Sequence, residues 1–180
     1  VPLRFAVPMM LLLDLSADID LIYAKLPRKA RRDIRIGLER GLVIRQGDLA
    51  DLATFYELMR TTAVRGGFSA RSMAYYQAEF ATFIRSGLAI LLLAEYEGQT
   101  IAAQMTFAFG RYGAVFHGAS NNTHRHLRAN DVLTWESVKW AKARGCHSFD
   151  LWGLPDEIGQ LIEQGLPIPT DRTDGLWGVY

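Results

Sequence analysis

Several groups of side chains in this sequence could do chemistry, and the first is a row of arginines. Arg28, Arg31, Arg32 and Arg35 are spaced as i, i+3, i+4 and i+7, which places them on one face of a helix. Guanidinium groups bind phosphate oxygens through paired hydrogen bonds. With Lys29 beside it, the row is therefore a candidate for gripping an RNA backbone or a nucleotide diphosphate. A solvated basic helix face explains the same pattern equally well.

A second group follows two glycines and combines a cation with a phenol. Arg71 and Tyr75 are four residues apart, near the start of a segment whose pattern predicts a helix. Together they could contact an anionic ligand that carries a sugar. A surface arginine above a packed tyrosine is the competing interpretation, and composition alone favours it.

Two single residues near predicted strand ends complete the set. His117 precedes a glycine and several short polar residues, so it could contact a ligand or act as a general base near neutral pH. Asp150 precedes Gly153 by three residues and could accept a proton or orient a substrate. A lone histidine or acid more often has a structural role than a catalytic one. We find no Cys or Ser with a paired base that would indicate a covalent intermediate. We also find no His/Cys spacing that would indicate a metal site.

Length and composition limit the class of protein. The 180 residues suit one domain, and 49% apolar with 22% charged residues is ordinary for a soluble protein. The single cysteine excludes an intramolecular disulfide, so we expect a reducing cytoplasm. The apolar run at 5–13 is too short to span a bilayer. Seven basic residues against two acidic ones at 25–40 indicate an anionic partner.

Hydrophobic periodicity predicts the elements that must position these groups. Residues 89–96, 101–109 and 112–118 read as a three-strand antiparallel meander, because tight turns separate three apolar runs. A loop with one helical turn near 158–164 and a last strand at 176–180 are predicted at the end. The remaining predicted strands are at 10–15, 42–45 and 148–152. The predicted helices are at 16–26, 28–40, 48–66 and 130–145, with a further helix that begins at Ser69 or Ser72 and ends at 84.

The stretch before the helix at 130–145 distinguishes two kinds of acyltransferase. Acyl-CoA N-acetyltransferases hold the CoA pyrophosphate there with a loop of the type Arg/Gln-x-x-Gly-x-Gly/Ala. The corresponding residues begin with Arg125, but Arg128 and Asn130 occupy the glycine positions. Because their side chains would crowd a pyrophosphate, the sequence predicts an acyltransferase fold without a CoA cradle.

Short segments along almost the whole chain resemble one enzyme family in their order and spacing. That family comprises the FemA, FemB and FemX peptidoglycan bridge-forming aminoacyltransferases, which join two acetyltransferase-like (GNAT) domains in one chain. The segments are Lys29-x-Arg31-Arg32-x-Ile34-Arg35, Gly67-Phe68, Tyr75-Tyr76, His117-Gly118-Ala119-Ser120, Asn130-x-x-Leu133-x-Trp135, Phe149-Asp150-x-x-Gly153 and Asp174-Gly175-Leu176.

The resemblance implies an α/β fold of the GNAT N-acyltransferase kind, with a mixed, largely antiparallel sheet flanked by helices. It implies one GNAT-like domain over 1–180. Residues 1–26 would be the tail of a preceding GNAT-like domain, and 27–180 a second domain truncated at its C-terminus. We expect such a fragment to be inactive alone, because it ends before a Phe-Lys pair that the family commonly has after its Asp-Gly motif.

The activity implied is transfer of an amino acid from aminoacyl-tRNA to the stem peptide of a cell-wall precursor. The acceptor would be UDP-MurNAc-pentapeptide or its lipid-linked form, with possible peripheral contact with the membrane face and no cofactor besides the charged tRNA. By the resemblance, Arg71 and Tyr75 would contact the precursor's diphosphate and sugar, with His117 and Asn130 as further candidates. Arg28, Lys29, Arg31, Arg32 and Arg35 would bind tRNA or precursor phosphates.

Two other functions remain open on the sequence. One is an acyl-CoA-dependent N-acyltransferase of the GNAT type, which would bind acetyl-CoA despite the missing glycines. The other is a non-catalytic RNA- or anion-binding module, which would use the arginine row and catalyse nothing.

Overall fold

In the residues that the computed structural model describes, 10–153 and 156–167, six strands form one sheet with helices on both faces. The strands are β1 (Met10–Asp14), β2 (Val43–Gly47), β3 (Ala89–Tyr96), β4 (Gln99–Phe109), β5 (Tyr112–Ser120) and β6 (Ser148–Gly153). The helices are α1 (Ile19–Lys25), α2 (Arg28–Glu39), α3 (Leu52–Gly66), α4 (Met73–Phe83), α5 (Ala129–Ala143) and α6 (Asp156–Glu163).

The sheet is antiparallel except at one pair of strands. Its order is β1-β6-β5-β4-β3-β2, and β3 to β5 form the predicted meander. β5 and β6 run parallel but pair only over 112–114 against 148–150. Beyond Ala114 the pairing ends, so the two strands part. We call the opening between 115–120 of β5 and 151–153 of β6 the wedge.

Apolar residues at helical spacing bury one face of each large helix against the sheet. Phe55 of α3 and Phe80 of α4 share a buried cluster with Leu91 of β3 and Met105 of β4. On the opposite face, α5 packs on β3 and β4, and its Leu133 is fully buried. The mixed, largely antiparallel sheet flanked by helices, predicted from the sequence, is confirmed.

A buried polar network fixes α5 to the centre of the sheet. Ser137 of α5 accepts hydrogen bonds from Gln104 over 2.8 Å and from Thr106 over 2.7 Å, both on β4. Thr134 donates to the Gln104 side chain over 3.2 Å. Because buried polar groups are costly unless paired, this network holds α5 in a single register on β4.

Differences from the predicted elements concern their ends. Ser72, one of two predicted starts, caps α4 by accepting the Tyr75 amide hydrogen, so Arg71 lies before the helix rather than on its face. The single helical turn predicted near 158–164 belongs to the longer α6. The last strand predicted at 176–180 and the Asp174-Gly175-Leu176 segment lie outside the described residues.

Gly113 is the position where the packing around the wedge leaves no space for a side chain. A methyl group there would lie 2.7 Å from Cβ of Ala141 and 2.8 Å from Cδ2 of Phe149. We expect Gly113→Ala to lower the free energy of unfolding by about 1–3 kcal/mol, because α5 and β6 must move apart. Urea denaturation measures this change.

Gly118→Ala in the same strand is the matched control, because no atom lies within 4 Å of a methyl group built there. We expect the free energy of unfolding of this variant to stay within about 0.5 kcal/mol of the wild type. Equal stability of the two variants would contradict the packing described for the wedge.

Candidate functional site

Arg71, Tyr75 and His117 come together, and Glu79 joins them. Oε2 of Glu79 lies 2.7 Å from Nε2 of His117, and the Tyr75 hydroxyl donates to Oε1 of Glu79 over 3.2 Å. The Arg71 guanidinium carbon lies 5.7 Å from the centre of the Tyr75 ring. α4 supplies Tyr75 and Glu79 one turn apart, and β5 supplies His117 from the sheet. We call these four residues the His117 cluster.

The His117 cluster runs from solvent into the interior. Tyr75 is 43% exposed, whereas the side chains of His117 and Glu79 are only 15% and 7% exposed. Phe55 and Tyr76 pack edge-on against the imidazole. Burial lowers the pKa of His117, and the Glu79 carboxylate opposes this shift without cancelling it. The neutral imidazole therefore predominates at pH 7.

Two half-exposed aromatic rings, Phe116 and Trp152, line the mouth of the wedge. Their ring centres are 6.1 Å apart. Phe116 is the extra residue of a β-bulge, because the pairing of β4 with β5 skips it. Trp152 has φ of 76°, in the left-handed region that non-glycine residues rarely adopt. The bulge and this turn leave both rings at the opening, where Phe116 also contacts His117.

Asp150 maintains the backbone turn at the wedge. Its Oδ1 accepts the amide hydrogen of Trp152 over 2.7 Å, which stabilises the unusual conformation of that residue. Within the described residues, no hydrogen bond or ion pair connects Asp150 to the His117 cluster. This contact is a structural one, as the sequence also allowed for Asp150. The roles of Asp150 in proton transfer and in orienting a substrate stay predictions.

The loop before α5 keeps a glycine-like backbone without a glycine. Arg128 has φ of 57° and ψ of 34°, the left-handed conformation that glycine adopts most readily. A cavity of about 170 Å³ lies beside this loop at the N-terminus of α5, and Asn130 lines it. We call it the α5 cavity. Its lining includes four basic side chains, those of Lys29, Arg65, Arg125 and Arg128.

The predicted basic set divides between two surfaces. Four arginines of α2 line a concave surface together with Tyr23, whereas Lys29 lines the α5 cavity. Asp33, on the inner side of α2, is completely buried and pairs with Arg32 over 2.9 Å. Nε of Arg128 lies 3.8 Å from the same carboxylate, so Asp33 connects α2 to the loop before α5. The four arginines are Arg28, Arg31, Arg32 and Arg35.

The structure thus brings three predicted ligand-binding residues into one cluster and leaves Asn130 in the separate α5 cavity. Sequence reasoning missed Glu79. The sequence does contain a signal for Glu79, namely its spacing. Glu79 follows Tyr75 by four residues, as Tyr75 follows Arg71. Nothing in the sequence pairs Glu79 with a histidine 38 residues further along the chain.

Within residues 10–153 and 156–167, no group of three or more His, Cys, Asp and Glu side chains could hold a metal ion. No helix described there combines the length and the apolar character needed to cross a bilayer.

The sequence over residues 24–158 matches the family model described as the acetyltransferase (GNAT) domain. Among curated protein sequences, no match is found. The fold is similar to that of FemX, with a TM-score of 0.79 at 18% identity, covering 93% of this chain and 56% of FemX. The chain thus spans little more than half the length of FemX.

Two further solved structures share the fold. One is the C-terminal domain of a protein named as a lysylphosphatidylglycerol synthetase from Agrobacterium fabrum, with a TM-score of 0.58 at 13% identity, covering 86% of this chain and 50% of that one. The other is a protein named as an acetyltransferase from Clostridium acetobutylicum, solved with acetyl-CoA. Its TM-score is 0.55 at 15% identity, covering 75% of this chain and 96% of that one.

Asp131, which lines the α5 cavity, makes stability depend on pH. Burial first, and the Asp33 carboxylate second, raise the pKa of Asp131 from 3.8 to about 6. Because its pKa is higher in the folded state, stability falls as pH rises from about 4 to 6. We expect Asp131→Asn to be more stable than the wild type at pH 7 by about 1–3 kcal/mol, and equally stable below pH 4.

Urea denaturation across this pH range measures the effect. Asp20→Asn is the matched control, since Asp20 is an exposed acid in the first turn of α1. We expect the control to follow the wild-type dependence. An Asp131→Asn variant with that same dependence would contradict the environment described for Asp131.

Proposed function

This chain belongs to the acetyltransferase (GNAT) domain family, and on that premise we propose that it takes part in aminoacyl transfer. The donor is an aminoacyl-tRNA, and the acceptor is an amine on the stem peptide of a peptidoglycan precursor. The precursor is UDP-MurNAc-pentapeptide or its lipid-linked form, which would bring the protein into peripheral contact with a membrane. The reaction belongs in the cytoplasm, where charged tRNA is available.

The observation that carries this proposal is the composition of the His117 cluster. The family resemblance assigns Arg71 and Tyr75 to the diphosphate and sugar of the precursor, and these two residues stack on each other at the solvent end of the cluster. His117 lies at its inner end, next to the mouth of the wedge. A precursor held at Arg71 could therefore extend its peptide amine towards the wedge.

Two basic surfaces support the assignment of aminoacyl-tRNA as the donor. The arginine row of α2 and the α5 cavity offer guanidinium groups that can bind RNA phosphates without sequence preference. Asp33 pairs with one arginine of each surface, Arg32 and Arg128. A tRNA acceptor end could contact both surfaces while its terminal ester enters the wedge.

Direct transfer suits the side chains that are present. The precursor amine attacks the ester carbonyl of the aminoacyl-tRNA, a C–N bond forms, and the bond to the ribose oxygen breaks. A covalent enzyme intermediate would need an accessible nucleophile. Cys146 is buried, and burial raises the pKa of its thiol, so it does not provide one.

The direct test uses the natural full-length protein with tRNA that carries a labelled amino acid and with UDP-MurNAc-pentapeptide. We expect label to appear on the stem peptide by mass spectrometry, and faster with the lipid-linked precursor if that is the natural acceptor. Absence of transfer together with absence of precursor binding would refute the proposal.

Arg71→Gln tests the acceptor side. Loss of a charged contact to the precursor diphosphate should raise KM for the precursor by about ten- to a hundredfold with little change in kcat. Steady-state kinetics with varied precursor measures it. Arg85→Gln, an exposed arginine just beyond the other end of α4, is the control and should behave as the wild type. An unchanged KM in the Arg71 variant would remove this residue from the site.

Neutralising the arginine row tests the donor side. A variant with Arg28, Arg32 and Arg35 changed to Gln should bind tRNA more weakly and with a shallower dependence on salt, by about 0.7 in slope for each lost phosphate contact. Fluorescence anisotropy at several salt concentrations gives the slope. Full transfer activity with an unchanged slope would show that tRNA binds elsewhere. Salt-dependent RNA binding without any transfer at full length would instead favour a non-catalytic RNA-binding module.

Acyl transfer from CoA is a second candidate function, favoured by one observation. Arg128 holds the left-handed backbone expected of a glycine in a pyrophosphate loop, and the α5 cavity beside it is basic. These residues suit an anionic group, and a CoA pyrophosphate is one such group. Titration calorimetry with acetyl-CoA distinguishes the two donors. Binding in the micromolar range would support CoA over aminoacyl-tRNA.

A further inference from the structure

We infer that His117 accepts the proton released by the attacking amine, and that Glu79 is the residue that positions His117 for this step. The inference rests on the proposed aminoacyl transfer and assigns the proton acceptor within it. Its basis is geometric, namely a buried carboxylate and imidazole in contact beside the wedge.

The contact fixes which nitrogen of His117 is available. An ionised Glu79 can only accept, so the 2.7 Å contact places the imidazole hydrogen on Nε2. Nδ1 then carries the free lone pair. Among the described residues Nδ1 has no hydrogen-bond partner, and it is not among the buried polar atoms that lack one. Nδ1 is therefore the nitrogen of His117 that can take up a proton.

Glu79 is itself held in place. The Tyr75 hydroxyl donates to Oε1, while Oε2 faces His117, so both carboxylate oxygens are engaged. Its neighbour Phe80 is completely buried and anchors this turn of α4 against Phe55. A carboxylate fixed in this way orients an imidazole and stabilises the imidazolium that forms, as in other acid–histidine pairs.

The position of His117 in the sheet suits the proposed reaction. It follows the bulged Phe116, whose ring lies 5.0 Å from the imidazole and 6.1 Å from Trp152 across the wedge. An ester that enters the wedge and an amine that extends from Arg71 would meet beside this ring. A proton acceptor must lie within hydrogen-bond reach of the attacking nitrogen, and we therefore place that nitrogen beside His117.

The step balances without any further reactant. The neutral amine nitrogen forms a bond to the ester carbonyl carbon, and one of its hydrogens passes to Nδ1 of His117. The bond from that carbon to the ribose oxygen then breaks. The imidazolium returns the proton to this oxygen, which leaves as a hydroxyl, so an amide and a free tRNA end form while His117 is restored.

The groups around His117 determine its pKa and therefore how activity depends on pH. α4 presents the Glu79 carboxylate and the phenols of Tyr75 and Tyr76, the segment before α4 presents Arg71, and α3 presents only the apolar Phe55. Burial and Arg71 lower the pKa of His117, and Glu79 raises it. Activity should therefore fall as pH drops through a value below 6.5, where His117 takes up a proton.

The experiment compares pH profiles of kcat for the full-length protein and its variants in the transfer assay with charged tRNA and precursor. We expect His117→Gln to lower kcat by about a hundredfold or more and to remove the acidic limb, with KM for both substrates little changed. His147→Gln, at an exposed histidine just before β6, is the matched control and should keep the wild-type profile.

The Glu79→Gln variant tests whether the Glu79 carboxylate positions His117 or only packs against it. Glutamine is nearly isosteric and can still accept from Nε2, so the fold and the tautomer should be retained. Loss of the negative charge should lower kcat and move the acidic limb to lower pH, because the imidazolium loses its stabilising partner. A purely structural role for Glu79 would leave the position of this limb unchanged.

Nitrogen-15 NMR of His117 gives a readout that does not depend on catalysis. We expect the Nε2–H tautomer at pH 7 and a pKa that falls in Glu79→Gln. A wild-type protein without aminoacyl transfer would refute the proposed function. Wild-type transfer with unaltered rate and pH profile in His117→Gln would refute this inference alone, as would an Nδ1–H tautomer.

Discussion

The short parallel pairing of β5 with β6 determines where every other part of this site can lie. The two strands are held together over three residues, and α5 presses on Gly113 there, with Ala141 and Phe149 where a side chain would stand. Beyond this point the strands part. The polar network around Ser137 keeps α5 in register above the pairing, so the wedge opens at a fixed place.

Charge is arranged around the wedge in a way that separates two tasks. On the face covered by α3 and α4, the buried Glu79 and the largely buried His117 form a pair, and their cluster ends in the exposed Tyr75. Elsewhere, the guanidinium groups of Arg28, Arg32 and Arg35 line the concave surface of α2, and that of Arg128 lines the α5 cavity. A low dielectric strengthens the interaction of the Glu79 carboxylate with an imidazolium, whereas phosphate binding needs accessible cations. One small domain therefore offers both environments at a short separation.

Much of the fold could be predicted from the sequence, because the meander and α5 have strong periodicity and clear turns. The bulge at Phe116 could not, since a bulge depends on how β4 pairs with β5 rather than on either strand alone. Arg71 was placed on a helix because its spacing from Tyr75 is helical, yet the cap at Ser72 leaves it outside. In the sequence, Glu79 cannot be told apart from a surface acid, because only the fold brings His117 into contact with it.

Binding of an aminoacylated RNA end in the wedge can be tested by NMR titration of the labelled full-length protein. The ligand is a short RNA hairpin that carries a stable 3′-amide-linked amino acid. We expect the hairpin to shift the signals of His117, Phe116 and Trp152. Its affinity should fall with salt, and acetyl-CoA should not displace it. Shifts of these signals with acetyl-CoA, and none with the hairpin, would contradict binding of the RNA end in the wedge.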